Sequence, residues 1–153
     1  MSQARPEMDQ TAIEQGPTTR LAEFATNLSY DKLGPDVVQH AKECLLDYLR
    51  LVALGASTPW AQAVYGLVKR MGGAPESRIS VYGDRVPMVH AALVHGTFSH
   101  GLEWSDSHLS SMSHPGDSVF PAAIAVAEKI GASGKDLITA TVAGYDVMLR
   151  IGD

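Results

Sequence analysis

The sequence predicts an all-α protein with a helical, bundle-like architecture. Three observations support this class. Apolar residues make up 45% of the 153 residues and charged residues 19%, a balance typical of a folded globular chain. Apolar positions recur mostly at steps of three and four, which is the helical period. Proline and glycine interrupt these stretches at intervals that suit successive helices. At most one short hairpin is expected, near residues 78–86.

The overall composition limits the partners and the location of the protein. Residues 1–17 are polar and predict a flexible N-terminal lead-in, and residues 18–153 predict one helical domain. The net charge is 12 − 17 = −5 without a cluster of Lys and Arg, so neither nucleic acid nor a membrane is expected as a partner. Cys44 is the single cysteine, which fits a reducing compartment. The N-terminus lacks the apolar core of a signal peptide. We therefore expect a cytoplasmic protein.

Three helices are expected in the first half of the chain. Their expected starts are Thr18 or Thr19, Pro35 and Pro59, and their expected ends are residue 28, Gly55 and Gly72. Threonine suits a helix cap, and proline suits the first helical turn. The apolar spacing predicts a buried stripe on the second helix, formed by Val38, Ala41, Leu45, Leu49 and Val52.

The second half begins with an alternating segment and continues with three helices. Residues 78–86 alternate apolar and polar side chains around Gly83-Asp84, which predicts a strand or hairpin. The expected helix starts are Pro87, then Ser118 or Val119, then a capping-box pattern at Ser133 and Asp136. The first of these helices should run to Leu102. The expected inward face of the last helix consists of Leu137, Ala140, Gly144, Val147 and Ile151.

The histidines do not predict a metal site on one helix face, and their spacing leaves open whether His100, His108 and His114 converge through the loop. His90, His95 and His100 are five residues apart, so on a helix each is rotated by about 140° from the one before. A helical metal pair prefers an offset of four residues. His95 falls on the apolar face and is expected to be a core histidine. His100, Glu103 and Ser107 would lie side by side if the helix extended that far.

The polar segment from His100 to Ser118 predicts a site for an organic anion. It holds three histidines, three acids and six serines in front of an Ala-rich helix. Free N–H groups and the dipole at a helix start favour negative charge. We expect the N–H groups near Gly116, with Ser113 and Ser118, to hold a carboxylate. His114 can exchange a proton near neutral pH, which suits proton abstraction next to that carboxylate. Two alternatives remain: a hydrogen-bonded helix end, or Asp117 occupying the cap itself.

The run AALVHGTFSHGLEWSDSH, followed by SHPGDSVFPAAIAVAE, resembles the MmgE/PrpD family. Members of this family dehydrate, decarboxylate or epimerise di- and tricarboxylic acids. The resemblance implies a large helical domain, a smaller α+β lid, an active site between them and a homodimer without a cofactor. Residues 18–153 would then form part of the helical domain, without the lid.

The family motifs imply roles for individual residues. His114 stands at the active-site histidine, Glu103 at the first acid of the D-[FY]-D-D-T motif and Asp106 at its last acid. These three are expected to be catalytic. Substrate binding is expected from Ser107, His108, Ser113 and Gly116. No metal is implied.

The resemblance predicts a lyase or isomerase acting on a di- or tricarboxylic acid. Family members are much longer, so the lid and the lysines that complete their site are expected outside this chain. The chain alone is therefore not expected to hold a complete active site. Two alternatives are a non-catalytic helical oligomerisation or interaction module, and one half of a split enzyme whose partner chain supplies the lid. Apolar faces left uncovered predict self-association, which light scattering measures.

Overall fold

A computed structural model describes residues 16–153. Within that range it shows six α-helices, one 3₁₀ turn and one antiparallel hairpin. The helices are α1 (Pro17–Asn27), α2 (Pro35–Gly55), α3 (Pro59–Met71), α4 (Met88–His100), α5 (Pro115–Ile130) and α6 (Gly134–Gly152), and the 3₁₀ turn spans Tyr30–Lys32. Strands β1 (Ser77–Arg78) and β2 (Arg85–Val86) form the hairpin between α3 and α4. The predicted all-α class with one short hairpin is confirmed.

Proline and capping side chains set the helix starts. A proline lies in the first turn of α1, α2, α3 and α5, where its missing N–H has no intrahelical partner to lose. The capping box of α6 is confirmed, because Ser133 Oγ accepts from the N–H of Asp136 and the Asp136 carboxylate accepts from the N–H of Ser133. The predicted threonine cap of α1 is wrong, since Gly16 occupies the N-cap. Residues 1–15 of the predicted lead-in lie outside the described residues.

Two boundaries beside the polar segment differ from the prediction. Helix α4 ends at His100 rather than Leu102, and α5 begins at Pro115 rather than Ser118 or Val119. The polar run before α5 therefore supplies its first turn instead of preceding it. Pro115 carries the same signal that correctly predicts the starts of α2 and α3.

Helix α4 lies at the centre of the fold and packs against α2, α3 and α5. Its face toward the core carries Phe98, which is fully buried, as is Phe120 on α5. Tyr48 of α2 stacks on Phe120 with 5.1 Å between ring centroids. The core cluster consists of Tyr48, Val52, Ala56, Ala61, Val68, Ile79, Val86, Ala91, Val94, Phe98, Phe120 and Ala125. This core fixes the ends of α4 and α5, which carry the polar segment.

The predicted inward faces of α2 and α6 are partly wrong. Leu49 is 42% exposed, while its neighbours Tyr48 and Leu51 are buried. On α6, Ala140 and Ile151 are exposed. An apolar helix offers more than one stripe that satisfies the helical period, and its neighbours decide which stripe is covered.

Several apolar side chains remain on the surface of the described residues. A cleft of about 540 Å³ runs between α5 and α6, with Val126, Ile130 and Leu137 in its walls. Val126 and Ile130 are exposed. Self-association through such a surface stays a prediction. No single helix among residues 16–153 has both the length and the apolar content to cross a bilayer; only α2 and α3 taken together reach those limits, and they are bent by 88°.

The hairpin is held against α4 and α5 by two side chains. Glu128 of α5 accepts hydrogen bonds from Ser77 Oγ (2.8 Å) and from the N–H of Arg78 (2.6 Å). His95 of α4 accepts one from the N–H of Ser80 through Nε2 (2.8 Å). His95 is 1% exposed, so the prediction of a core histidine is confirmed. Its Nδ1 has no partner among the described groups.

His95 makes the stability of the chain depend on pH. Burial lowers the pKa of His95, against a smaller opposing effect of Glu128. The unfolded chain therefore binds a proton at a higher pH than the folded chain does. The contribution of His95 to stability is full above about pH 6.5, the pKa of the unfolded chain. It is lost as the pH drops from there through the lower pKa of the folded chain.

We expect the urea concentration at the midpoint of unfolding to be lower at pH 5.5 than at pH 7.5, and this decrease to be smaller in His95→Gln. An equal pH response of His95→Gln and the original chain contradicts this; His40→Gln, which changes an exposed histidine of α2, is the matched control.

Candidate active site

The segment between α4 and α5 folds as a tight polar loop. His108 and Ser113 pair through their backbones, the N–H of His108 donating to the carbonyl of Ser113 at 2.9 Å. Two residues adopt the left-handed backbone region, Glu103 at φ 55° and Met112 at φ 49°. This conformation is costly for residues with a side chain. The loop therefore owes its shape to side-chain contacts with the neighbouring helices.

Asp106 ties this loop to two helices. Its Oδ1 accepts from the N–H of Gly116 in the first turn of α5 (3.0 Å), and its Oδ2 accepts from the hydroxyl of Tyr145 on α6 (2.7 Å). Burial and the bond to Asp106 raise the pKa of Tyr145, so the phenol stays a donor. A carboxylate at a helix start is favoured by the free N–H groups and the dipole. Asp106 is thus an anchor for α5.

The N–H of Gly116 is therefore already occupied. The sequence predicted that this group would hold a substrate carboxylate, and in the structure the carboxylate of Asp106 holds it instead. The anion at this helix start is a side chain of the chain itself. Each oxygen of Asp106 accepts one hydrogen bond, and its expected catalytic role stays a prediction.

His114 is the N-cap residue of α5. Its Nδ1 lies 2.8 Å from the carbonyl oxygen of Asp106 and 3.3 Å from Ser105 Oγ. A carbonyl only accepts, so Nδ1 carries the proton that is donated to it. The other ring nitrogen, Nε2, then has a lone pair, and no hydrogen bond to it is found within residues 16–153. The contact with Asp106 therefore leaves His114 with one basic nitrogen.

His100 lies beside His114, with 5.5 Å between ring centroids. Its Nδ1 is 2.8 Å from Oδ2 of Asp117, and its Nε2 is 3.3 Å from Oε1 of Glu103. Carboxylates only accept, so a ring with two N–H groups satisfies both contacts. The Asp117 side chain is 7% exposed, whereas that of Glu103 is 72% exposed. His100 thus contacts a buried carboxylate on its inner side and an exposed carboxylate on its outer side.

The remaining predicted site residues form a second group. His108 Nδ1 lies 2.8 Å from Ser111 Oγ, which lies 2.7 Å from Ser113 Oγ. His108 also approaches Asp153 at 4.0 Å. Ser107 is exposed. Within the described part of the chain, no hydrogen bond links these side chains to His100 or His114, so the structure places them beside the imidazole pair without joining them to it.

Four residues of this site have no predicted role in it: His100, Ser105, Asp117 and Tyr145. The sequence places His100 only beside Glu103 and Ser107, and Asp117 only at a helix cap, although the two side chains pair. The signal for Asp117 was its position in the first turn after a proline. No spacing rule connects His100 with a residue 17 positions later, so only the fold brings the pair together.

The site lies at the surface of the described residues. The side chain of His100 is 48% exposed. Three clefts of 450–540 Å³ lie elsewhere. One lies between α1 and α6, one between α2 and α6, and one between α5 and α6. No group of three or more His, Cys, Asp or Glu side chains in residues 16–153 is arranged to hold a metal ion. The chemistry available here is that of two imidazoles and their carboxylates: proton transfer and binding of an anion.

Residues 19–153 match the family model described as the MmgE/PrpD N-terminal domain. A cis-aconitate decarboxylase of Aspergillus terreus is 28% identical over 144 residues, which cover 91% of this chain and 29% of that protein. A cis-aconitate decarboxylase-like protein, oryM of Aspergillus oryzae, is 30% identical over 148 residues (91% and 30%). A cis-aconitate decarboxylase of Homo sapiens is 31% identical over 140 residues (84% and 28%). The chain spans less than a third of the length of these relatives.

Proposed function

The chain belongs to the MmgE/PrpD family, and from this premise we propose that it contributes the His100–His114 pair to a lyase or isomerase site for a di- or tricarboxylic acid. The observation that carries the proposal is the pair itself. One imidazole keeps a basic nitrogen and the other faces carboxylates with both nitrogens. Such a pair holds a base and an N–H donor side by side. Since relatives are named cis-aconitate decarboxylases, cis-aconitate is the acid to test first.

His114 Nε2 is the proposed base. It removes a proton from the carbon next to a substrate carboxylate. The electron pair of the broken C–H bond is then delocalised into that carboxylate, which gives an enediolate. A dehydration then expels hydroxide, and an epimerisation returns the proton on the other face. A decarboxylation forms the carbanion by loss of carbon dioxide and then takes a proton from the site. General acid–base catalysis of this kind contributes about 10²–10⁴-fold to a rate.

His100 is the proposed binding group for the substrate carboxylate. Its Nε2 faces Glu103, whose carboxylate is mostly exposed. A substrate carboxylate that replaces Glu103 at this nitrogen meets the same N–H group. Asp117 keeps the ring oriented from the other side. Asp106 acts indirectly, by holding His114 and the start of α5, and Ser107 remains a proposed substrate contact.

Deuterium exchange tests this function. Removal and return of a proton is the one step that needs only the His100–His114 pair and not the rest of the site. In D₂O, we therefore expect the chain to exchange the methylene protons of cis-aconitate for deuterium, observed by proton NMR. His114→Ala should slow the exchange by about 100-fold or more. His40→Ala, a change to an exposed histidine of α2, should leave it unchanged. Equal exchange rates in His114→Ala and the original chain would contradict the role of His114.

The exposed apolar cleft between α5 and α6 favours a second function, a non-catalytic association module. An oligomeric chain that neither binds nor exchanges an organic acid would support this function. A split enzyme would instead gain exchange activity when a polypeptide with the remaining family residues is added.

A further inference from the structure

A small cavity lies beneath the polar loop, between α2 and the start of α5. The cavity leaves about 10 Å³ in which the centre of a sphere the size of a water molecule can lie. This is close to the space that one water molecule needs. Its walls consist of Cys44, Asp47, Tyr48, Leu51, Ser105, Asp106, Gly116 and Asp117. The lining is thus rich in polar groups, unlike that of an apolar packing defect.

Two buried polar atoms of this lining have no hydrogen-bond partner among the described groups. They are the hydroxyl of Tyr48 and Oδ1 of Asp117. Tyr48 is 3% exposed, and the side chain of Asp117 is nearly as deeply buried. Burial, and then the charge of Asp117, raise the pKa of Tyr48. The phenol therefore stays protonated and needs an acceptor, while the carboxylate oxygen needs a donor.

We propose that the cavity is a binding site for one water molecule, which accepts a hydrogen bond from Tyr48 and donates one to Oδ1 of Asp117. Each of these atoms would otherwise lose its hydration without compensation, which is costly for a buried polar group. No direct hydrogen bond joins the two residues, so a bridging molecule satisfies both. Ser105 also lines the cavity and offers a third partner through its hydroxyl, and buried waters typically have about three.

The water continues an existing chain of contacts to the surface. It fixes one oxygen of Asp117 while the other faces His100 at 2.8 Å. Tyr48, the water and Asp117 therefore position the imidazole of His100 from the core outward. Asp117 is a positioning residue in this scheme. Its importance for the reaction rests on the proposed function, whereas the water site does not.

The sign of one stability change tests the water site. Tyr48→Phe removes the hydroxyl without changing the ring. If the hydroxyl is bound to water, its loss lowers the melting temperature, by about 2–4 °C for a chain of this size. If the hydroxyl lacks a partner, its removal raises the melting temperature, and the proposal is overturned. Tyr145→Phe is the matched control, because that hydroxyl has a defined acceptor in Asp106 and its loss must lower the melting temperature.

A crystal structure of the 153-residue chain gives the direct observation. We expect one ordered water within hydrogen-bond distance of Tyr48 and Asp117, and its loss in Tyr48→Phe. A map that shows other buried waters but none here overturns the proposal. Positioning is read separately from the NMR ring signals of His100 without substrate. These signals should move in Tyr48→Phe, toward their positions in Asp117→Asn, because both changes alter the carboxylate that faces the ring; unchanged ring signals reject positioning. Neither readout depends on turnover, so either can fail while the proposed function holds.

Discussion

Replacing Gly55 with alanine is expected to destabilise the chain by about 3 kcal/mol, the upper part of the range for overpacked cores. Gly55 is buried at the end of α2, where this helix crosses α4. A Cβ atom at this position would lie 1.9 Å from the carbonyl oxygen of Phe98 and 2.9 Å from its carbonyl carbon. Backbone atoms cannot rotate away as a side chain can, so the two helices have to separate. Phe98 is two residues before His100, and the site should therefore shift with it.

Gly66 provides the matched control for this change. It lies inside α3, and a Cβ atom there would meet only the end of the Arg70 side chain at 3.5 Å. Gly66→Ala should stabilise the chain by about 0.5–1 kcal/mol, because alanine favours a helix interior. Urea unfolding of both variants measures the two effects. A Gly55→Ala variant as stable as Gly66→Ala would show that α2 and α4 do not cross as closely as described.

Asp106→Ala is expected to cost about 2–4 kcal/mol, since bonds to a charged group contribute about 1.5–3 kcal/mol each. The change leaves the N–H of Gly116 and the hydroxyl of Tyr145 without their acceptor. Gly116 is buried, so water replaces the lost carboxylate poorly. The start of α5 should loosen, and with it His114. Urea unfolding gives the cost, and the NMR signals of the His114 ring report the loosening.

A double-mutant cycle separates the anchoring role of Asp106 from a general loss. The losses of unfolding free energy caused by Asp106→Ala and Tyr145→Phe should be less than additive, because both variants remove the same hydrogen bond between these two side chains. Asp146→Ala, a change to a half-buried carboxylate of α6 that pairs with the exposed Arg150, should cost less, because this pair lies at the surface. Fully additive effects of the first two variants would contradict the bond between Asp106 and Tyr145.

Local sequence signals predicted the elements whose ends depend on their own residues. Proline in the first turn correctly predicted the starts of α2 and α3, and the Ser133–Asp136 box predicted that of α6. The start of α5 was missed although Pro115 carried the same signal, because the polar run around it resembled a loop. The face errors at Leu49, Ala140 and Ile151 have a different origin. Helical period identifies apolar stripes, and only tertiary packing decides which stripe is covered.

The sequence located the polar segment and its candidate residues, but not the contacts between them. The motifs pointed to His114, Asp106 and Glu103, and the fold gathers all three around the end of α4 and the start of α5. The partners of Asp106 and His100 were not predictable, since Tyr145 and Asp117 lie far along the chain. For the same reason, the sequence could not show that Asp106 occupies the N–H of Gly116, because the two residues are ten positions apart. A helix start predicts that an anion binds, but not whether the anion belongs to the chain.

NMR titration of the chain with cis-aconitate tests the central claim most directly, because it observes the two imidazoles themselves. The account predicts that the ring signals of His100 and His114 shift together and saturate, while those of the exposed His40 stay in place. His114→Gln should weaken the binding, and His40→Gln should not. Ring signals of His100 and His114 that remain unchanged at millimolar cis-aconitate would contradict the claim that this pair recognises an organic acid.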